Sequence, residues 1–134
     1  MRNQIGIQFL IGLLWCSVLV FGKSSFVGEW QSRPNPVTGK PSITVNILAS
    51  RNSLNGTVIL VNPDGSKTEF TILRPELSGM VLRFQTNDAG AIFLWRMTLE
   101  QDGRAAILRG GDRRPAMRGQ SGELLIEERV IKKR

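Results

Sequence analysis

The residue types that most often carry catalytic chemistry are scarce in this chain. Its 134 residues include no histidine and no tyrosine, and its one cysteine is Cys16. Ser121 lies in the glycine-rich segment Gly119-Gln120-Ser121-Gly122, but no histidine is present to activate its hydroxyl as a nucleophile. The carboxylates are scattered and suggest neither an acid–base pair nor an all-oxygen metal site. We therefore expect no enzyme activity, no cofactor and no metal ion.

Basic side chains offer a second kind of chemistry, the binding of anions. The 18 Lys and Arg residues exceed the 11 Asp and Glu residues by +7, and residues 104–134 alone hold nine basic and four acidic side chains. This excess predicts contact with an anionic surface or a protein partner, and a solvated basic loop is the alternative. Nucleic acid is not expected, because no aromatic residues are interleaved with these basic ones. The arginines predicted to make the contact are Arg109, Arg113, Arg114 and Arg118.

Large apolar side chains offer a third possibility, a lining for a hydrophobic ligand. Phe93, Trp95 and Met97 share one face of a predicted strand, and such side chains either surround a cavity or fill a core. Arg83 and Arg96 alternate with the apolar positions of their strands and are expected to point outward. The alternative is an inward orientation, in which they would bind a carboxylate or a ligand anion. The apolar residues predicted to contact a ligand are Trp30, Phe84, Phe93, Trp95 and Met97.

These side chains must be positioned by strands, because alternation of polar and apolar residues recurs along the chain. Asn55-Gly56 predicts a hairpin turn, and residues 74–79 and 110–122 are predicted loops, since they are rich in proline or glycine. A helix is the alternative for residues 123–133. The predicted strands are 26–30, 42–47, 57–61, 67–73, 80–86, 91–100, 104–109 and 123–134.

Short links between about eight consecutive strands predict an all-β, antiparallel fold. Eight strands with one apolar face can bury that face by closing on themselves, which also removes exposed edges. We expect a small up-and-down barrel, with a β-sandwich as the alternative. Residues 23–134 would form this single β domain.

The N-terminal segment 1–22 differs in composition from the rest. Arg2 is its only charged side chain, an apolar run follows, and the segment ends in Val20-Phe21-Gly22. This pattern is typical of a secretory signal peptide cleaved after Gly22. An uncleaved membrane anchor is the alternative, because the apolar run is about long enough to cross a bilayer. We expect an extracytoplasmic protein, secreted or periplasmic.

Two short segments resemble the lipocalins and the intracellular fatty-acid-binding proteins, the calycin-like group. Gly28-Glu29-Trp30 resembles their Gly-x-Trp opening, and residues 128–133 look like the last strand of a fatty-acid-binding protein. The resemblance implies that Trp30 lies at the base of a barrel and that Arg129 partners Trp30 or a ligand anion. Position 131 is Ile, so the tyrosine hydroxyl of the Arg-x-Tyr element in that family is absent.

The resulting expectation is an exported, monomeric binding protein without enzyme activity. It would hold a lipid or another small hydrophobic molecule inside a lipocalin-like barrel. The alternative is a β domain with a filled core that acts on a protein or an envelope surface through its basic loops, as an inhibitor would. A hollow interior would favour the first function and a solid one the second.

Overall fold

The computed structural model describes residues 25–112 and 126–134, and this part of the chain is an antiparallel β-barrel. Residues 1–24 and 113–125 lie outside the described residues. They contain the predicted signal peptide, 1–22, and most of the predicted basic loop. Among the described residues, no helix has the length and apolarity needed to cross a membrane. The strands are β1 (Gly28–Ser32), β2 (Ile43–Ala49), β3 (Leu54–Val61), β4 (Lys67–Thr71), β5 (Leu73–Ser78), β6 (Val81–Asp88), β7 (Ala91–Leu99), β8 (Ala105–Asp112) and β9 (Ile126–Lys132).

The nine strands form one sheet in the order β4-β3-β2-β1-β9-β8-β7-β6-β5, and every neighbouring pair is antiparallel. Pairing of β1 with β9 joins the two ends of the chain, and the remaining pairs are consecutive along it. The predicted all-β, up-and-down barrel is confirmed, and the sheet is nearly closed. The C-terminal segment is a strand from Ile126, so its described part is not the alternative helix.

Strands β4 and β5 behave as one bent strand at the seam of the barrel. Only Ile72 separates them, and its N–H donates to the carbonyl of Gly56 over 2.9 Å. The first half pairs with β3 and the second half with β6. The chain thus passes from one side of the seam to the other without a hairpin, which is why nine strands are seen where eight were predicted.

The predicted loop 74–79 was wrong, because most of it belongs to β5. The register between β5 and β6 shifts between Leu73 and Glu76, so the strand carries an irregularity at Pro75. Proline lacks the N–H that a ladder needs and is tolerated at the edge of a sheet or at a bulge. Proline content alone therefore did not distinguish a bulged edge strand from a loop. Similarly, residues 110–112 extend β8 rather than begin a loop.

A hairpin turn is present in the predicted turn-rich segment 50–56, but its predicted placement at Asn55-Gly56 was wrong. Both residues lie within β3, and the turn is closed earlier, where the N–H of Ser50 donates to the carbonyl of Ser53 over 2.9 Å. Gly56 has a φ of 147°, and a Cβ atom there would lie 1.8 Å from the carbonyl oxygen of Asn46 on β2. The glycine therefore permits close approach of two strands instead of a turn.

The inward-facing side chains of the strands fill the barrel with a continuous apolar core. Alternation along each strand sends every second residue inward, as on β6, where Leu82, Phe84 and Thr86 are buried while Arg83 is exposed. Trp30 is fully buried, and its Nε1–H donates to the carbonyl of Phe26 over 2.9 Å. The largest fully buried side chains are Trp30, Phe26, Phe84, Ile47, Leu82, Met97, Leu108, Val45, Val58 and Val130.

Candidate functional site

The predicted ligand-contacting aromatics on β6 and β7 form one cluster inside the barrel. The rings of Phe84 and Trp95 stack with centroids 6.2 Å apart, and Phe93 lies 5.8 Å from Trp95 at a tilt of 33°. Phe84, Trp95 and Met97 are at most 3% exposed, and Phe93 is half-buried. The indole N–H of Trp95 donates to the hydroxyl of Thr86 over 2.9 Å, which satisfies its only polar atom.

Trp95 lies over a glycine on the neighbouring strand. Gly110 is its cross-strand partner, and a Cβ atom at that position would come within 2.8 Å of the indole ring. The bulky side chain thus occupies the volume that a side chain on β8 would otherwise take. The arrangement fixes the ring in place, which is what a packed core position requires.

Trp30 lies three strands away from Trp95 in the sheet order, and its cationic neighbour is Lys132 rather than Arg129. The Nζ atom of Lys132 is 5.4 Å from the centroid of the Trp30 ring and donates to the carbonyl of Ser25 over 3.2 Å. An ammonium at this distance from an indole is attracted by the ring. Lys132 is a residue that the sequence interpretation missed, although it shares the inward parity of the buried Val130.

Arg129 lies on the outer face of β9 and is engaged there. Its Nε and one terminal nitrogen donate to the two carboxylate oxygens of Glu100 over 2.8 and 2.9 Å. These hydrogen bonds lower the pKa of Glu100 and raise the pKa of Arg129. The structure therefore does not bring Arg129 together with the aromatic cluster, and its guanidinium is already paired with a carboxylate.

A row of charged residues crosses the outer face of five strands. Successive cross-strand partners are Glu76 on β5, Arg83 on β6, Arg96 on β7, Arg109 on β8 and Glu127 on β9. We call this set the arginine row. Neighbouring strands are about 4.8 Å apart, so the three arginines span about 10 Å across the sheet. The outward orientation predicted for Arg83 and Arg96 agrees with their exposure.

The arginine row is only partly neutralised. Arg109 contacts Glu127 over 3.5 Å, and both side chains are more than half exposed, which makes this a weak ion pair. Arg83 and Arg96 have no ion-pair partner among the described residues. Like charges directly opposite on adjacent strands repel each other, so the central pair costs stability in the free protein.

The arginine row forms part of an open cleft of about 800 Å³. Arg74 also borders the cleft, and its φ of 49° is a left-handed conformation that a residue with a Cβ atom seldom adopts. Two residues along each strand, the next outward-facing row of cross-strand partners consists of Gln85, Leu94 and Gly111, and Leu94 is its one apolar side chain. Leu94 is 41% exposed there, and Gly111 beside it has no side chain.

A smaller cavity of about 250 Å³ lies at the seam between β3 and β5. Its apolar lining includes Leu54 and Leu82, which also belong to the core, and Leu77, which is 40% exposed. The cavity therefore connects solvent with the edge of the core. It lies where β3 and β5 are not hydrogen-bonded to each other as neighbouring strands.

Of the four arginines that the sequence predicts to contact an anion, the structure describes one. Arg109 lies in the arginine row, whereas Arg113, Arg114 and Arg118 lie outside the described residues. The sequence interpretation considered Arg83 and Arg96 as anion ligands only if they pointed inward, and it did not connect them with Arg109 on the outer face. One signal was available, since the two-residue link Ala89-Gly90 between β6 and β7 fixes the register that puts Arg83 opposite Arg96.

Comparisons with protein-family models, with curated proteins and with solved structures found no match for this chain. The resemblance to lipocalins and fatty-acid-binding proteins therefore stays a prediction from two short segments.

Proposed function

We propose that this chain is a non-enzymatic binding protein that holds an anionic partner on the outer face of β6, β7 and β8. The observation that carries the proposal is the register that places Arg83, Arg96 and Arg109 side by side over a cleft. Guanidinium groups bind carboxylate and phosphate oxygens through paired N–H donors, so adjacent arginines suit a polyvalent anion. The sequence predicted contact with an anionic partner through a basic loop, whereas this proposal assigns the contact to the outer face of the sheet.

The energetics of the free protein support an anion at this place. Arg83 and Arg96 lie in direct opposition without an ion-pair partner among the described residues, so they repel each other, and an anion between them would convert that repulsion into attraction to both. The excess of +7 in net charge would also draw anionic partners toward the protein before contact. Both effects weaken as salt is added.

The proposal is tested by the dissociation constant of inorganic phosphate, measured from amide shifts in an NMR titration. Charge-assisted hydrogen bonds are worth about 1.5–3 kcal/mol each, so Arg83→Gln combined with Arg96→Gln should weaken binding at least about tenfold. The matched control is Arg33→Gln with Arg51→Gln, two exposed arginines outside the row, which changes the net charge equally. Equal weakening by both double variants would refute a specific site.

A second candidate function is that of an exported, lipocalin-like carrier with a lipid or other small hydrophobic ligand in the barrel. The cavity at the seam favours it, because Leu54 and Leu82 connect this opening with the core that holds Trp30, Phe84 and Trp95. A volume of about 250 Å³ lies near the lower limit of known ligand sites, so only a small apolar molecule fits.

Native mass spectrometry of the protein released by an exporting host tests this second function. A mature chain that starts at Lys23 and carries a small-molecule mass, lost on denaturation, would support both export and a carried ligand. If neither the native chain nor the variant Leu54→Ala carries an added mass, this result would count against a ligand at the seam. An N-terminus at Met1 would favour the membrane anchor instead of the signal peptide.

A further inference from the structure

We infer that the ligand of the arginine row is a phosphate monoester carried on an apolar body. This inference rests on the proposed function, and it names the chemical class that the cleft would take. Three observations carry it: the charge of the described cleft residues, the spacing of the guanidiniums of Arg83 and Arg96, and the exposed apolar side chain of Leu94 beside them.

The charge of the cleft matches a dianion. Among the described residues that line it, Arg74, Arg83, Arg96 and Arg109 are cationic, and Glu76 and Glu127 are anionic. Two positive charges are therefore in excess. A phosphate monoester carries between about −1.5 and −2 at neutral pH, whereas a carboxylate or a sulfate ester carries −1.

The two glutamates also limit the size of the anion. Glu76 and Glu127 occupy the two ends of the arginine row, where they would repel negative charge that extends beyond it. Arg83 and Arg96 sit on adjacent strands, about 4.8 Å apart at the backbone. One phosphoryl group with three oxygens can accept hydrogen bonds from both.

The apolar body of the ligand would lie on Leu94, in the neighbouring outward-facing row. Leu94 is the cross-strand partner of Gln85 on one side and of Gly111 on the other, and it lies two residues along β7 from Arg96. Its side chain is partly exposed inside the cleft, and Gly111 places no side chain beside it. An alkyl or aromatic group attached to the phosphate would cover Leu94, and removal of its apolar surface from water would favour binding.

The left-handed backbone at Arg74 is consistent with a residue held for binding. Such a conformation is unfavourable for a residue other than glycine and persists only where the surrounding structure imposes it. Here it occurs at the start of β5, where the bent strand leaves the seam and reaches the cleft.

The test compares three probes on the full chain by NMR titration: hexyl phosphate, methyl phosphate and hexyl sulfate. Hexyl phosphate should bind at pH 7.5 at least about tenfold more tightly than either other probe. The variant Leu94→Asn should remove the preference for hexyl over methyl phosphate while leaving methyl phosphate binding within about twofold. Thr98→Asn, a polar substitution on the same strand outside the cleft lining, is the control.

The charge requirement is tested by repeating the titrations at pH 5. Hexyl phosphate loses its second charge below a pKa of about 6, so its affinity should fall several-fold. Hexyl sulfate keeps one charge throughout, so it reports any effect of the facing carboxylates of Glu76 and Glu127 themselves. Equal affinity for hexyl and methyl phosphate, or equal affinity for hexyl phosphate and hexyl sulfate, would overturn this inference while leaving the anion site intact. Failure of all three probes to bind would overturn the proposed function as well.

Discussion

Arg83 on β6 and Arg96 on β7 are direct cross-strand partners on the outer face, and neither is ion-paired with any described residue. A sheet that needed only solubility at this face could have alternated charges of opposite sign, as it does at the ends of the same row. The arrangement makes three arginines adjacent, and no described carboxylate compensates the central pair.

Removal of the central arginine should stabilise the free protein. Arg96→Gln relieves repulsion from both Arg83 and Arg109, and we expect the free energy of unfolding to rise by about 0.2–1 kcal/mol at low salt. Urea denaturation measures the change, and about 1 M salt should abolish it, because the Debye length is then only about 3 Å. Arg51→Gln is the control and should change stability little. A loss of stability in Arg96→Gln at low salt would contradict the repulsion.

Arg129 should control the pKa of the Glu100 carboxyl group but should not contribute to anion binding. Arg129 lowers the pKa of Glu100 by hydrogen bonding, so Arg129→Gln should raise that pKa toward its ordinary value, as measured by NMR of the Glu100 side chain. The stabilisation from this depressed pKa is present above the unfolded-state pKa and is lost as the pH falls through the folded-state pKa.

Consequently, the difference in stability between the native chain and Arg129→Gln should shrink on acidification. The affinity for inorganic phosphate at pH 7.5 should match that of the native chain, because Arg129 does not border the cleft. A phosphate affinity reduced as strongly as by Arg83→Gln would show that Arg129 belongs to the site.

Close approach of β2 and β3 should make Gly56 irreplaceable. In Gly56→Ala the new Cβ atom would meet the backbone of Asn46, which can move only if the β2–β3 ladder shifts. We expect a loss of more than about 3 kcal/mol in the free energy of unfolding, or no folded protein.

Gly65→Ala is the matched control for Gly56. Its φ of 89° is also positive, but no heavy atom lies within 4 Å of the position that the new methyl group would take. It should lose only the cost of the backbone conformation, about 1–2 kcal/mol. Similar losses in both variants, measured by urea denaturation, would show that the contact with Asn46 does not matter.

Alternation along single strands could be predicted from the sequence, whereas relationships between strands could not. The apolar parity of Phe84, Trp95 and Met97 is visible in the chain, and the same alternation placed Arg83 and Arg96 outside. A single strand, however, does not reveal which residue of a neighbour lies opposite. The arginine row depends on four registers, and the register of β8 with β9 bridges residues 113–125.

Local signals also failed where tertiary contact decided the conformation. Asn55-Gly56 is a strong hairpin signal, yet the glycine serves strand contact. Pro75 indicated a loop, yet it lies at an irregularity in an edge strand. At the C-terminus, the resemblance directed attention to Arg129, whereas the parity set by Val130 places Lys132 beside Trp30.

The most direct test of the central claim is to observe the arginine side chains themselves. In an NMR titration of the full chain with inorganic phosphate, the Nε–Hε signals report each guanidinium separately. We predict saturable shifts of the signals of Arg83 and Arg96, with a smaller shift of Arg109 because Glu127 competes for it. The signals of Arg33, Arg51 and Arg129 should stay in place. Small, unsaturated shifts of equal size at all these arginines would contradict a binding site at the arginine row.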